Sequence, residues 1–339
     1  MKKILVIRND KIGDFMLAWP AFALLKNSMP NSQIVALVPE YTKALAVNCP
    51  WIDEVIVDIK NKKDKHSKAE LIKQIKAYDF DYSICLFSNM YNASLAWRCK
   101  IPQRFAPATK ICQLLYNRTL RQKRSQSKKA ESQYNVDLIV YFLTSVNRQP
   151  LAIAPPYFSF SETETQSQKT ELSLALKADQ KKKWCFMHPG TGGSSTTLSI
   201  EQWLTLLKGL STIENLAFII TAGPGEEDYA SQLHAKLIHN NIDGHLYISK
   251  QGLMKFSCSL GCADLFISGS TGPLHIAGAL DIPTIGFYPS KQSSTALRWR
   301  PINSIDKHLP FSFKEQGLQN NVIDLQQVIT AIKNWSAWR

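Results

Sequence analysis

A short apolar run, a turn, then an amphipathic stretch: this unit recurs along the chain and constrains its fold more than any other feature. The first copy is Lys3-Ile4-Leu5-Val6-Ile7, a β-branched run of buried-strand type, followed by a helical pattern from Asp14 to Asn27. Gln33 to Val38, Glu54 to Asp58 and Tyr82 to Phe87 are further strand candidates. Helical stretches at Tyr41 to Asn48 and Lys68 to Tyr78 fall between them. A segment rich in Ser, Thr, Gln and Lys, from Phe158 to Asp179, interrupts the pattern and reads as the approach to a domain boundary whose second part can start a helix. Trp184 to Met187, Leu216 to Thr221, Leu265 to Ser268 and Thr284 to Phe287 then read as strands. Ser199 to Leu210, Glu226 to His239 and Thr271 to Leu280 read as helices. The expected class is α/β, two domains with parallel sheets covered on both faces and a cleft between them as the site. The boundaries are 1–165 and 166–320, with 321–339 a closing helix whose apolar face carries Val322, Leu325, Val328, Ile329 and Ile332.

Composition removes several function classes. With 339 residues and 45% hydrophobic side chains, the chain has material for two cores and is not a disordered or low-complexity protein. No apolar run approaches the ~18 residues of a membrane span or resembles a signal h-region. Seven cysteines, an odd number without C-x-x-C spacing, support neither a disulfide framework nor a zinc site. These features predict a cytoplasmic chain with reduced thiols and no bound metal. Forty basic against 27 acidic residues give a net charge of +13. Nucleic acid, an anionic membrane and an acidic substrate all fit that charge. Basic residues interleaved with exposed aromatics are not evident, which argues against nucleic acid.

Three turns carry chemistry. The first is Arg8-Asn9-Asp10-Lys11-Ile12-Gly13-Asp14, where the position of Asp14 fits a helix N-cap as well as a general base. The second is His188-Pro189-Gly190-Thr191-Gly192-Gly193-Ser194-Ser195-Thr196-Thr197. It is not a P-loop, but its run of glycines and hydroxyls, rich in donors suited to phosphate, sets anion binding ahead of an ordinary flexible βα loop. The third is Ser268-Gly269-Ser270-Thr271-Gly272-Pro273-Leu274-His275, with Ser270 or Thr271 placed to cap a helix. His275 lies one turn in, as a structural hydrogen-bonder or a phosphate partner. Two such turns in one domain point to a diphosphate ligand. In Gly223-Pro224-Gly225-Glu226-Glu227 a carboxylate is placed for ribose hydroxyls or for a helix N-terminus. Asp79-Phe80-Asp81 precedes a strand and reads as a turn.

Taken in order, these motifs resemble the family 9 glycosyltransferases, the heptosyltransferases of the lipopolysaccharide inner core. The likeness runs from Lys3 to Arg8 and Ile12-Gly13-Asp14 through Leu37-Val38-Pro39, the His188-Pro189-Gly190 loop and Gly223 to Glu226. It continues in Ser268 to His275 and closes in Phe287-Tyr288-Pro289 with Arg298-Trp299-Arg300-Pro301. The resemblance implies a GT-B fold of two Rossmann-like domains, the first binding acceptor and the second nucleotide sugar, with 321–339 packing back on the first. It implies an inverting, metal-independent transferase without cofactor that moves heptose from ADP-heptose to the Kdo/heptose core; the alternatives are a related transferase with another nucleotide hexose and a nucleotide-sugar binder without turnover. By resemblance Asp14 is the catalytic base. Gly190, Thr191, Gly192, Gly193, Ser194, Thr196, Ser270, Thr271, Gly272 and His275 hold diphosphate and sugar. Glu226 holds the ribose, and Gln251 lies near adenine. Thr196 stands near where family members often carry a lysine, and Ser270 where they usually carry aspartate, which leaves the donor sugar open.

The charge is uneven. Residues 1–165 carry 24 basic and 14 acidic side chains, whereas 166–339 carry 16 and 13. Lys60 to Lys76 reads equally as a solvated face or a binding surface. In the acceptor domain, Arg8, Lys11, Arg121, Lys123 and Arg124 are the residues expected to meet the acidic acceptor and the anionic inner face of the inner membrane.

Overall fold

The computed structural model describes residues 1–193, 195–316 and 319–338. The chain divides into two units, Met1–Ala154 and Pro155–Arg339. The boundary lies ahead of the expected residue 165 because the helix at Glu162–Leu176 packs within the second unit. With this division the first unit holds 24 basic and 12 acidic residues and the second 16 and 15, so almost the whole excess belongs to the first.

The first unit carries six strands: β1 (Lys3–Ile7), β2 (Gln33–Pro39), β3 (Glu54–Asp58), β4 (Tyr82–Cys85), β5 (Gln103–Pro107) and β6 (Arg118–Leu120). They form one parallel sheet in the order β3-β2-β1-β4-β5-β6. Its helices are α1 (Ile12–Met16), α2 (Trp19–Ser28), α3 (Lys43–Val47), α4 (Lys65–Ala77), α5 (Met90–Arg98) and α6 (Glu131–Ser145). Leu5, Ile7, Val35 and Leu37 pack with Leu71 and Ile75 of α4 and with Ala93 and Leu95 of α5. Ile4, Val6, Ile34 and Ala36 alternate with them and are equally buried, so both sheet faces are covered. The single helix expected over Asp14 to Asn27 is two helices. Pro20, in the first turn of α2, has no N–H to continue the ladder from α1. Helix α4 starts at Lys65, three residues before the expected start, because Asp64 caps it and accepts from the amides of His66 (3.1 Å) and Ser67 (3.3 Å).

The second unit repeats the plan. Strands β7 (Lys183–His188), β8 (Leu216–Thr221), β9 (Gly244–Tyr247), β10 (Leu265–Gly269), β11 (Thr284–Tyr288) and β12 (His308–Ser312) form a parallel sheet in the order β12-β11-β10-β7-β8-β9. Both sheets therefore have the doubly wound order 3-2-1-4-5-6, with the strand order reversing beside β1 and beside β7. The helices are α7 (Glu162–Leu176), α8 (Ile200–Leu210), α9 (Glu227–His239), α10 (Gly252–Leu260), α11 (Gly272–Ala279) and α12 (Leu325–Asn334). A small antiparallel pair, β13 (Lys314–Gln316) and β14 (Gln319–Val322), precedes α12. The closing helix thus starts at Leu325, because the residues ahead of it pair as a strand. It packs on α8 of its own unit: a Cβ on Gly209 would lie 2.4 Å from Cδ1 of Ile329. Ser161 and Ser199 close capping boxes at the starts of α7 and α8.

Candidate active site

In the first unit β1 delivers Arg8 to the carboxyl edge, beside the point where strand order reverses. Arg8 is buried, 1% exposed, and its guanidinium organises three carboxylates. Nη2 donates to Asp14 Oδ1 at 2.7 Å, Nε lies 3.0 Å from Asp10 Oδ1, and Nη1 lies 3.4 Å from Glu131 Oε1 at the start of α6. Arg124 Nη1 donates to the same Glu131 oxygen at 2.6 Å. Both guanidiniums also donate to the carbonyl of Leu86, which fixes the end of β4 in the cluster. Asp14 is not the cap of α1; that position is Lys11, without a side-chain cap bond. Oδ1 of Asp14 is committed to Arg8, and Oδ2 has no hydrogen-bond partner among the described residues.

Burial raises the Asp14 pKa, and Glu131 adds to the rise while Arg8 opposes it. Asp10 is pushed up to about 7, first by burial and then by Asp14 and Glu131, against the pull of Arg8. A carboxylate raised in this way and held by one oxygen is a stronger base toward a hydroxyl than a solvated one. A second network locks the same turn. Asn9 donates to Asp58 (2.6 Å) and Asn92 (2.8 Å), and Tyr41 donates to the carbonyl of Asp10 (2.5 Å).

The expected surface cations separate here. Lys11, Arg121 and Lys123 are exposed, whereas Arg8 and Arg124 are members of the carboxylate cluster. Neither presents a free surface charge to an acceptor or a membrane.

In the second unit β7 ends at His188, whose Nδ1 lies 2.9 Å from Thr221 Oγ1 and Nε2 3.1 Å from Glu226 Oε2. The Glu226 carboxylate also accepts from the amides of Gly192 (2.5 Å) and Gly223 (3.1 Å). His188 is the largest cause holding its pKa down at about 2; burial opposes, and the Gly192 amide assists. Only glycine fits around this carboxylate. A Cβ on Gly190 would lie 2.2 Å from Glu226 Cδ, and one on Gly223 would lie 2.7 Å from Oε2. The glycine loop and Glu226 are therefore one device, with the Gly192 amide occupied by a carboxylate from its own chain. Gly193, at φ 71, and Thr191 belong to the same loop, and Ser194 lies outside the described residues.

The loop continues to Thr196, whose carbonyl would lie 3.0 Å from a Cβ on Gly269, so it packs against the end of β10 and the third turn. Thr271 occupies the N-cap position of α11 without a side-chain cap bond; its hydroxyl lies 3.4 Å from that of Ser268. Ser270 lies one residue ahead of that cap position, and its amide donates to the carbonyl of Phe287 at 3.2 Å. Pro273 has no N–H, which leaves Gly272 and Leu274 to supply the first-turn donors. His275 is buried, its pKa held down at about 4 by burial, and its Nδ1 has no hydrogen-bond partner among the described residues. It stands in the site as a neutral imidazole. Gln251 is exposed immediately ahead of α10, after β9 at the same sheet edge.

Against this geometry, a family model described as Glycosyltransferase family 9 (heptosyltransferase) matches residues 68–320. The chain belongs to glycosyltransferase family 9. A relative from Haemophilus influenzae, provisionally named a glycosyltransferase, is 48% identical over 335 residues, covering 98% of this chain and 96% of its own. A family 9 glycosyl transferase structure from Veillonella parvula superposes with TM-score 0.80 at 15% identity, over 98% of this chain and 97% of its own. The E. coli ADP-heptose lps heptosyltransferase II gives 0.78 at 17%, covering 98% of each chain. E. coli heptosyltransferase WaaC with ADP gives 0.75 at 16%, over 98% of this chain and 100% of its own. The fold is the GT-B fold of these enzymes, and this family 9 member is a glycosyltransferase.

Sequence reasoning missed Asp10, Glu131, His188 and Thr221 as site residues of this family 9 glycosyltransferase. Asp10 and His188 stood in turns already singled out. Glu131 carried no local signal, because its partner Arg8 is 123 positions away.

Proposed function

We propose that this enzyme is an inverting transferase that moves heptose from ADP-heptose onto the Kdo/heptose inner core of lipopolysaccharide, at the inner face of the inner membrane and without metal or cofactor. The observation that carries the reading is the Asp14 carboxylate, anchored through one oxygen to a buried guanidinium and raised in pKa. In the proposed reaction Oδ2 takes the proton of the acceptor hydroxyl as its oxygen attacks the anomeric carbon. The bond to the diphosphate breaks, and the charge on the leaving group meets the amides of Gly272 and Leu274 and the dipole of α11. Glu226 exchanges its contact with the Gly192 amide for ribose hydroxyls, which releases that amide to phosphate.

Thr196 and Ser270 favour a second reading in which the donor is a different nucleotide hexose, because a lysine and an aspartate are replaced by neutral hydroxyls. The deciding experiment assays Asp14→Asn beside the unaltered enzyme, with ADP-heptose and a panel of nucleotide hexoses. Turnover should fall about 10²–10⁴-fold while nucleotide binding stays within about twofold. Undiminished turnover would remove Asp14 as the base, and turnover of a hexose donor alone would select the second reading.

A further inference from the structure

The first unit contains a groove of about 1060 Å³ between α4 and α5 that has no part in the site above. Eight of its eleven lining residues are Lys or Arg, and none is acidic. Lys65, Lys68, Ala69, Ile72 and Lys76 form one stripe of α4, spaced so that they share a helix face of about 16 Å. Arg98 at the end of α5, with Lys100 and Arg104 beyond it, forms the opposite wall. Helix α4 runs antiparallel to the strands, so Lys76 and Arg104 lie toward the amino edge of the sheet, whereas Asp14 lies at the carboxyl edge.

Of the eight cations, only Lys62 is ion-paired among the described residues, to Asp58 at 3.2 Å. Arg104 spends its donors on the carbonyls of Ile101 and Leu115. Like charges gathered in one concavity with a single ion pair among them repel, and the first unit holds nearly all the excess charge of the chain. Trp97, 54% exposed, lines the groove together with the lysines and the apolar Ile72. Long cationic side chains around an exposed indole are the composition of a protein surface at a lipid–water interface.

We propose that the α4–α5 groove docks the first unit on an anionic bilayer, taking phosphate-bearing lipid headgroups between its lysines with Trp97 at the headgroup level. The proposal rests on the reading of a lipid-linked acceptor only for the relevance of a bilayer; the docking itself requires neither donor nor acceptor. It also places the membrane contact on α4 and α5 instead of on Arg121 to Arg124.

The test is flotation of the full chain with phosphatidylglycerol–phosphatidylcholine vesicles and with phosphatidylcholine alone. Each Lys or Arg near an anionic leaflet strengthens binding about fivefold, so Lys65→Gln, Lys76→Gln and Lys100→Gln together should weaken binding to the anionic vesicles about a hundredfold. The same charge change in the second unit, by Lys181→Gln, Lys208→Gln and Lys250→Gln, should weaken it less than about fivefold. Brominated lipid should quench the bound protein, and Trp97→Phe should remove that quenching. Equal loss in the two triple variants, quenching that persists without Trp97, or binding of inorganic polyphosphate or RNA tighter than binding of vesicles would each overturn the proposal. Vesicle binding that survives when no heptose transfer is found would separate docking from the choice of substrates.

Discussion

Arg8 and Glu131 set the chemistry of Asp14 from opposite directions. The guanidinium stabilises the ionised carboxylate, whereas Glu131, neutralised in part by Arg8 and Arg124, raises its pKa along with burial. In its proposed role as base Asp14 must be ionised, so the rate should rise with pH through its pKa. Replacing Glu131 by Gln removes a negative charge and lowers that pKa. The acidic limb of kcat/KM should then move to lower pH by roughly one unit. The variant also leaves two buried guanidiniums with less compensation and should lower Tm by several degrees. An acidic limb that stays in place despite the lowered Tm would reduce Glu131 to a structural role. The same arrangement costs stability. Asp10 and Asp14 have raised folded-state pKa values, so the native state binds more protons than the unfolded chain between the ordinary carboxylate range and about 7. Their contribution to stability therefore falls as pH rises through that window.

Among elements, the loop after β7 and the turn before α9 behave as a single part, because the Glu226 carboxylate fills the space that side chains on Gly190 and Gly223 would need. Gly190→Ala should expel that carboxylate, costing about 1–3 kcal/mol of stability and weakening nucleotide binding at least tenfold. Adding Glu226→Ala to it should restore most of the stability but not the binding, a non-additive outcome read by thermal melts and calorimetry. Additive losses would mean that the two positions do not share this space.

Strands β3 and β8 were legible to the residue: β8 is buried and reads as an unbroken apolar run, whereas β3, at the sheet edge, reads as the β-branched Val55-Ile56-Val57 between two carboxylates. The glycine turns were legible because they follow those strands. What could not be read was anything set by partners distant in the chain: the Arg8–Glu131 pair, the seating of α12 on α8, and the use of the Gly192 amide by Glu226. Helix α6 escaped for a related reason, since it buries Glu131, Tyr134 and Asn135 alongside Leu138 and Phe142, which blurs its apolar face.

At the scale of the whole molecule, the division at Ala154 separates two complete sheets, each with its own core, and two kinds of chemistry. The first unit holds the raised carboxylates and the cation-lined α4–α5 groove. The second holds both glycine turns and the depressed carboxylate, with a nearly balanced charge. Its sheet order is complete without the first unit, and Ile329 and Ile332 of α12 are buried in its own core. The segment 155–339 should therefore melt cooperatively alone. ADP at about a hundred times its Kd adds ~2.7 kcal/mol, which should raise the Tm of this segment by ~5–10 °C. The segment 1–154 should show no such shift, because its first turn presents carboxylates where a diphosphate would need amides. A nucleotide response in 1–154, or none in a folded 155–339, would reverse the assignment of donor and acceptor chemistry to the two halves.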